Sequence, residues 1–322
     1  MSQIRLAVIG ADQLDPDLHL ALITLSVGGR ISAFAFYAAP TPEGYDQLQG
    51  AMQQDQLDAI IVAGEWSDLP HWLTFALQAG WAVYSTYPVP SHVEDMIDIR
   101  RAEQSAAQAC LQFGFTARHH ESVTAALSKA NSGEYGPLLS MRAVCGVADP
   151  QSAVLFEYGA QMLDVMQAFA GPFQDITGFA DLDRSDAAGS ETNVFATLRT
   201  HSGVIANLHA SATQWRPTFR LELGFDRGYL WLEGLNVDQN YFGQEALIYA
   251  RSGGDGAQHE TVERFPDSHG TLVSLQSFLD RIKTPSAAPA GTSQDAFDTL
   301  NTIQRILAAD PVYAPLQERH VS

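Results

Sequence analysis

Residues 156–164 hold the densest arrangement of groups able to do chemistry: Glu157, Gln161 and Asp164 stand at i, i+4 and i+7. On an α-helix that spacing puts a carboxylate, an amide and a second carboxylate on one stripe. Leu155, Met162, Leu163, Val165, Met166 and Phe169 would cover the flanks. A helix that is apolar nearly all round and carries one polar stripe suits the wall of a ligand pocket, where carboxylates bind hydroxyls or move protons. The same stripe equally suits a buried helix whose polar residues hydrogen-bond locally. His119 and His120 add two adjacent imidazoles, which titrate near neutrality and can serve as acid and base, or sit as ordinary junction residues. His71, and His209 with nearby Trp215 and Arg216, are weaker candidates for pocket walls, with packing as the simpler role.

The elements needed to position these groups alternate through the first third of the chain. Apolar runs at residues 4–10, 31–37, 57–63, 82–85 and 111–115 are separated by helical patterns at 18–27, 69–79 and 93–108. Strands alternating with helices of ten to fifteen residues predict a doubly wound parallel sheet, whose ligands bind beyond the carboxyl ends of the strands. Here that means the loops after Ile9, Tyr37, Val62, Ser85 and Phe115. Beyond residue 118 the pattern changes. A helix at 123–130 and a strand at 138–145 precede the Glu157 helix, and strand-like runs follow at 173–180, 192–199, 204–213, 219–224, 228–232 and 246–250. Consecutive strands of this kind predict an α+β unit with a large, mostly antiparallel sheet. Amphipathic helices at 272–282 and 295–309 close the chain. The expected division is therefore a Rossmann-like domain over 1–118 and an α+β substrate and oligomerisation domain over 119–322, with a small-molecule ligand in the cleft between them.

Charge excludes several partners. Asp and Glu outnumber Lys and Arg 37 to 18, which gives a net charge of −19. Such a surface repels nucleic acid and anionic membrane. No apolar run reaches the ~20 residues of a membrane span, and the first strand begins without a leader pattern, so the expected location is the cytoplasm. Cys110 and Cys145 lack metal-ligand spacing and read as two reduced, buried thiols. No metal site is expected, because His, Cys and carboxylates do not gather at ligand spacing. The open face of the second sheet, with Trp231, Leu235, Phe242 and Tyr249 nearby, suggests self-association into a homodimer or homotetramer.

Several local strings, in order, resemble the Gfo/Idh/MocA family of nicotinamide-dependent sugar and polyol oxidoreductases. Residues 114–118 (Gly-Phe-Thr-Ala-Arg) resemble its domain junction, and residues 132–136 (Ser-Gly-Glu-Tyr-Gly) resemble its S-G-x-x-G turn. Leu275, Phe278, Ile282, Gly291, Asp295, Ala296 and Leu300 follow its two C-terminal helices. The resemblance implies NAD or NADP as cofactor, with Gly10, Asp12, Gln13, Tyr37 and Pro88 on the cofactor side. Laid on the family's G-x-G-x-x-G, the three glycine positions are Gly10, Asp12 and Asp15. Carboxylates there favour the dipole of the following helix but repel a pyrophosphate. At a local dielectric near 20, one like-charge contact at ~4 Å costs on the order of 4 kcal/mol, or about three powers of ten in affinity. Tyr37-Ala38-Ala39 stands where the family has an acidic residue for the ribose, and Thr86-Tyr87-Pro88 stands for its Glu-Lys-Pro.

At the central helix the family pattern Asp-x-Gly-x-His-x-x-Asp corresponds to Glu157, Gly159, Gln161 and Asp164, so Gln161 replaces the proton-accepting histidine. An amide hydrogen-bonds a hydroxyl but does not take its proton. Two classes of function follow. One is an NAD(P)-dependent oxidoreductase on a sugar, polyol or related small carbonyl compound, with Tyr87, His119 or Glu157 in reassigned catalytic roles beside Gln161 and Asp164. The other is a non-catalytic ligand-sensing, regulatory or scaffold pseudo-dehydrogenase. The two differ in whether a nicotinamide cofactor binds and turns over.

Overall fold

In the computed structural model, the residues described are 4–10, 14–37, 45–64, 68–86, 92–106, 110–148, 153–182, 191–237, 240–252, 259–284 and 290–312. The chain forms two compact units: Met1–Phe115 with Thr271–Leu300, and Thr116–Gly270 with Asn301–Ser322. Each is taken in turn.

The first unit is built on a five-stranded parallel sheet in the order β2-β1-β3-β4-β5. Its strands are β1 (Ile4–Ile9), β2 (Ile31–Tyr37), β3 (Ala59–Val62), β4 (Ala82–Ser85) and β5 (Cys110–Phe113). They alternate with α1 (Pro16–Val27), α2 (Tyr45–Gln54), α3 (Leu69–Gln78) and α4 (Val93–Ser105). β3 and β4 are buried at every position, which explains their unbroken apolar sequence: both faces of a parallel sheet are covered. Leu6, Val8, Ile61 and Tyr84 pack on one face against Leu18, Leu22 and Leu25 of α1. Ala7, Ile9, Ile60 and Val83 point the other way and are equally buried.

The segment that returns to this unit is α7 (Gly270–Lys283), whose Leu275, Phe278 and Leu279 join the α1 cluster. Polar contacts fix it there. Tyr84 Oη and Ser274 Oγ are 3.0 Å apart, the Gln112 amide donates to the Ser274 carbonyl at 2.9 Å, and Arg281 donates to the Leu111 carbonyl at 3.1 Å. A single division near residue 118 does not include this return. An amphipathic helix advertises its buried face in the sequence but not which sheet that face covers. α2 was not among the expected helices, because its Gln- and Asp-rich sequence carries few apolar residues.

The second unit holds an eight-stranded sheet in the order β15-β14-β11-β10-β6-β9-β8-β7, antiparallel throughout except for the β6–β9 pair. The strands are β6 (Leu138–Ala148), β7 (Phe173–Leu182), β8 (Glu191–Thr200), β9 (Ile205–Ser211), β10 (Thr213–Phe225), β11 (Gly228–Glu233), β14 (Ala246–Arg251) and β15 (Thr261–Arg264). β12 (Asn236–Val237) and β13 (Asn240–Tyr241) form a separate small hairpin. Inward residues such as Met141, Ala143, Leu208, Leu221 and Leu230 are buried beneath α5 (Glu121–Asn131) and α6 (Ala160–Ala170). The alternate residues form a face that no helix among the described residues covers. Gly146 lets β6 and β9 close: its φ is +139°, and a Cβ there would stand 1.9 Å from the Ser211 carbonyl oxygen. The outer edge of β7 is capped by the last helix, α8 (Ser293–Ala309), and the residue after it. Arg305 donates to the Phe173 and Gln174 carbonyls, and Asp310 accepts from the Ala180 N–H at 2.8 Å.

Phe278→Ala tests the return of α7. The side chain is fully buried and its ring centroid lies 5.6 Å from that of Tyr84. The variant is expected to lose about 3–5 kcal/mol in denaturant unfolding.

Candidate functional site

The second unit's site grows from the segment that sequence spacing singled out, with one change of geometry. Residues Leu155–Gly159 form a π-helical turn before α6 begins at Ala160. A π turn is wider than an α turn, so it shifts the phase of every residue before it. Glu157 is consequently exposed, whereas Gln161 and Asp164 are fully buried. The expected three-residue stripe does not form. Two residues one α-turn apart point inward instead, and both grip the 3-10 turn Ala117–His119.

The grip is specific. Gln161 Oε1 accepts from the Ala117 N–H at 3.2 Å. Asp164 takes a bidentate pair from Arg118, with Nε donating to Oδ2 at 2.7 Å and a second, shorter bond to Oδ1. The Asp164 side chain is 1% exposed, and a planar guanidinium fork is the donor that satisfies a carboxylate so enclosed.

His119 follows directly. Burial, and then the charges of Arg118 and His120, push its imidazole down to about 4, so it is neutral at pH 7. Its Nε2 is buried and has no hydrogen-bond partner among the described residues. His120 is 1% exposed, with Nδ1 2.7 Å from Glu245 Oε2 and 3.2 Å from Ser268 Oγ. The other oxygen of Glu245 accepts from the Ser122 N–H at 2.8 Å, and the carboxyl is held below its ordinary value despite burial, chiefly by His120. Gly270 belongs to this cluster: an added Cβ would stand 2.5 Å from both the His120 ring and the Thr116 carbonyl oxygen.

Two of these carboxylates, Glu191 and Glu245, went unnoticed in the sequence. Glu191, at the start of β8, is 2% exposed and accepts from the Leu155 N–H at 3.1 Å, capping the π turn. Burial raises its carboxyl above the ordinary value, backbone N–H groups pull it back, and the charge of Glu157 adds a smaller upward push. No local spacing marks either residue, since both come from strand or loop positions far from their partners in the chain.

Other candidates disperse. His71 sits in a groove of about 480 Å³ between α3 and α4, 3.8 Å from Asp68. His209 lies on the uncovered sheet face, stacked on Phe195 at 3.9 Å between centroids and 3.0 Å from Asn193 Oδ1; Trp215 is 90% exposed. Neither lines the helix-covered side of the sheet. Of the four residues expected on that open face only Trp231 lies there, because Leu235 and Phe242 are buried and Tyr249 shares the inner face with Leu230.

In the first unit, Gly10 has φ +75°, and a Cβ there would stand 2.3 Å from the Ala63 carbonyl oxygen. The close approach of β1 and β3 therefore requires glycine whatever binds nearby. Tyr37 at the end of β2 donates from its hydroxyl to Asp55 Oδ2 at 2.7 Å; burial and that carboxylate push the phenol up to about 12. Asp12, Gln13, Tyr87 and Pro88 lie outside the described residues. Among the described residues no group of three His, Cys, Asp or Glu could hold a metal ion, and no helix is long and apolar enough to cross a membrane.

A doubly wound parallel sheet joined to a large, largely antiparallel one is the fold of two-domain α/β oxidoreductases. Its solved neighbours include an oxidoreductase domain protein from Kribbella flavida, with TM-score 0.80, 14% identity, and 96% of this chain and 97% of that one covered. Another is a 3-ketoreductase from Actinomadura kijaniata in complex with TDP-benzene and NADP, with TM-score 0.72, 15% identity, and 96% and 98% covered. Residues 125–231 match the model of the GFO/IDH/MocA C-terminal domain. Inositol 2-dehydrogenase of Leifsonia xyli subsp. xyli is 28% identical over 185 residues, 52% of this chain and 54% of that relative. In such alignments the chain spans about half the length of the curated relatives it matches. The match over residues 125–231 and the inositol 2-dehydrogenase relatives support the resemblance of this chain to the Gfo/Idh/MocA family.

The neutral His119 sets an acid dependence. Below its ordinary 6.5 the unfolded chain binds a proton that the folded imidazole refuses until about 4. Stability falls as pH drops through that window. Thermal melts of His119→Gln are expected to show a smaller loss across the same window than the parent does.

Proposed function

We propose that this protein binds a sugar- or polyol-like small molecule and does not carry out the hydride transfer of the family it resembles. The observation that carries this reading is the state of Gln161. It occupies the position that the family resemblance gives to the proton-accepting histidine, it is an amide, and its oxygen is fully buried against the Ala117 N–H. Such a group takes no proton from an alcohol at neutral pH. Asp164, the other fully buried polar residue of α6, is committed to Arg118. The choice of ligand class is supported by the inositol 2-dehydrogenase relative and by neighbours that include an aldose-aldose oxidoreductase from Caulobacter crescentus.

A second reading, an active NAD(P)-dependent oxidoreductase with a relocated base, is favoured by one observation: the neutral His119 with its unpartnered Nε2. The two readings separate in one experiment. The chain is assayed against myo-inositol, other polyols and aldoses for thermal stabilisation, and with NAD⁺ or NADP⁺ for growth of nicotinamide absorbance. Stabilisation without reduction is the expected result, about 2.7 kcal/mol at a hundredfold excess over Kd. Turnover that is lost in His119→Ala would establish the second reading. No stabilisation by any member of the panel would overturn the first. Gln161→His is not expected to install turnover.

The reading extends to a second copy of the chain as partner, seated on the uncovered face of the eight-stranded sheet. Support comes from charge. That face pairs Arg142 and Arg220 with Glu222 and Glu233, and Arg199 with Asp175, so it is locally balanced in a chain of net charge −19. Phe179 and Phe195, 69% and 49% exposed, stand opposite each other on it. Eight strands spaced ~4.8 Å apart, with about 25 Å of strand each, offer roughly 800 Å², the size of a standard interface per partner. Light scattering is expected to find a dimer or larger, and Phe195→Asp is expected to shift it to monomer with unchanged circular dichroism.

A further inference from the structure

The helix that follows β1 is where a dinucleotide's pyrophosphate rests in sheets of this kind, held by unsatisfied N–H groups and the positive end of the helix. The residues described there do not fit that group. α1 opens with Asp15 as its N-cap and Pro16 in the first turn. Proline has no N–H to give. The Leu18 N–H donates to Asp15 Oδ1 at 2.9 Å, the Asp17 N–H also favours the charged form of that carboxylate, and the His19 N–H goes to the Asp15 carbonyl at 3.0 Å. The first turn is therefore satisfied from within, by a carboxylate.

At the neighbouring strand tips the N–H groups are taken up by the sheet itself and by a hydroxyl. The Gly10 N–H donates to the Tyr37 carbonyl at 3.0 Å and the Gly64 N–H to Thr86 Oγ1 at 3.2 Å. The Thr86 N–H donates to the Val62 carbonyl at 2.8 Å. Electrostatics runs in the same direction. Burial raises the Asp15 carboxyl above its ordinary value and the adjacent Asp17 raises it further, so the site already resists the negative charge it holds. A diphosphate placed there would add more charge of the same sign in a partly desolvated position.

We infer that the carboxylate of Asp15 is a resident anion occupying the pyrophosphate seat of the first unit, and that this chain excludes NAD and NADP from it. The inference stands apart from the ligand reading of the second unit, since either can hold without the other. It also assigns the exclusion to particular atoms. Asn caps a helix as well as Asp does, so Asp15→Asn keeps α1 while removing the charge, and adding Asp17→Asn removes its neighbour.

The test is a fluorescence titration of NADH and of NADPH into the full chain, run on the parent, on Asp15→Asn and on the Asp15→Asn/Asp17→Asn double variant, with circular dichroism on each. The parent is expected to show no saturable change up to millimolar dinucleotide. The double variant is expected to bind at least tenfold more tightly than the parent, and inorganic pyrophosphate to raise its melting temperature but not the parent's. Saturation of the parent at micromolar NADH or NADPH would overturn the exclusion. Folded variants that bind no better than the parent would overturn the assignment to Asp15. Polyol stabilisation is read in the same samples, so a failed ligand reading leaves this result intact and is seen separately.

Discussion

The second unit is anchored by the hold of α6 on the turn at Ala117–His119. Gln161 and Asp164 satisfy a backbone N–H and a guanidinium that are otherwise buried, and breaking one half of a buried ion pair strands the other at a cost of several kcal/mol. That constraint fixes which way the imidazoles of His119 and His120 face. Through His120 it reaches Glu245 and the Ser122 N–H, and through the π turn it reaches Glu191 at the head of β8. Gln161 and Asp164 thus brace the turn at Ala117–His119.

Much of the architecture could be read before any coordinates. Alternating apolar runs and helical patterns defined the parallel sheet, because burial on both faces leaves no room for polar alternation at β3 and β4. Burial alternates along most of β8 and β9, as it must where one face of a sheet is covered. Three things were not legible. The sheet that α7 covers is a tertiary choice, carried by Phe278 and Ser274 meeting Tyr84 and Gln112. The π turn breaks the 3.6 period on which the Glu157–Gln161–Asp164 stripe depended, and nothing in the local sequence announces it. Glu191 and Glu245 find their partners across 36 and more than a hundred residues respectively, so their roles appear only once the strands are placed.

The acidic character of the chain acquires a location in the same way. Its excess of carboxylates is not spread evenly: across β6, β10 and β11 arginine and glutamate alternate in direct register, Arg142 opposite Glu222 and Arg220 opposite Glu233. The first turn of α1, by contrast, sets Asp15 beside Asp17, and burial, with a smaller push from Asp17, raises the carboxyl of Asp15 above its ordinary value. Like charges are gathered at the head of α1, whereas opposite charges are interleaved across the sheet face.

The treatment of the sheet's two rims limits how such molecules can aggregate. One rim, β7, has main-chain groups already engaged by Arg305 and Asp310, and the other, β15, is four residues long and ends in Glu263 and Arg264. Neither offers a long row of idle amides and carbonyls to a neighbouring strand. Edge-to-edge lengthening of the sheet into a fibre is thereby disfavoured.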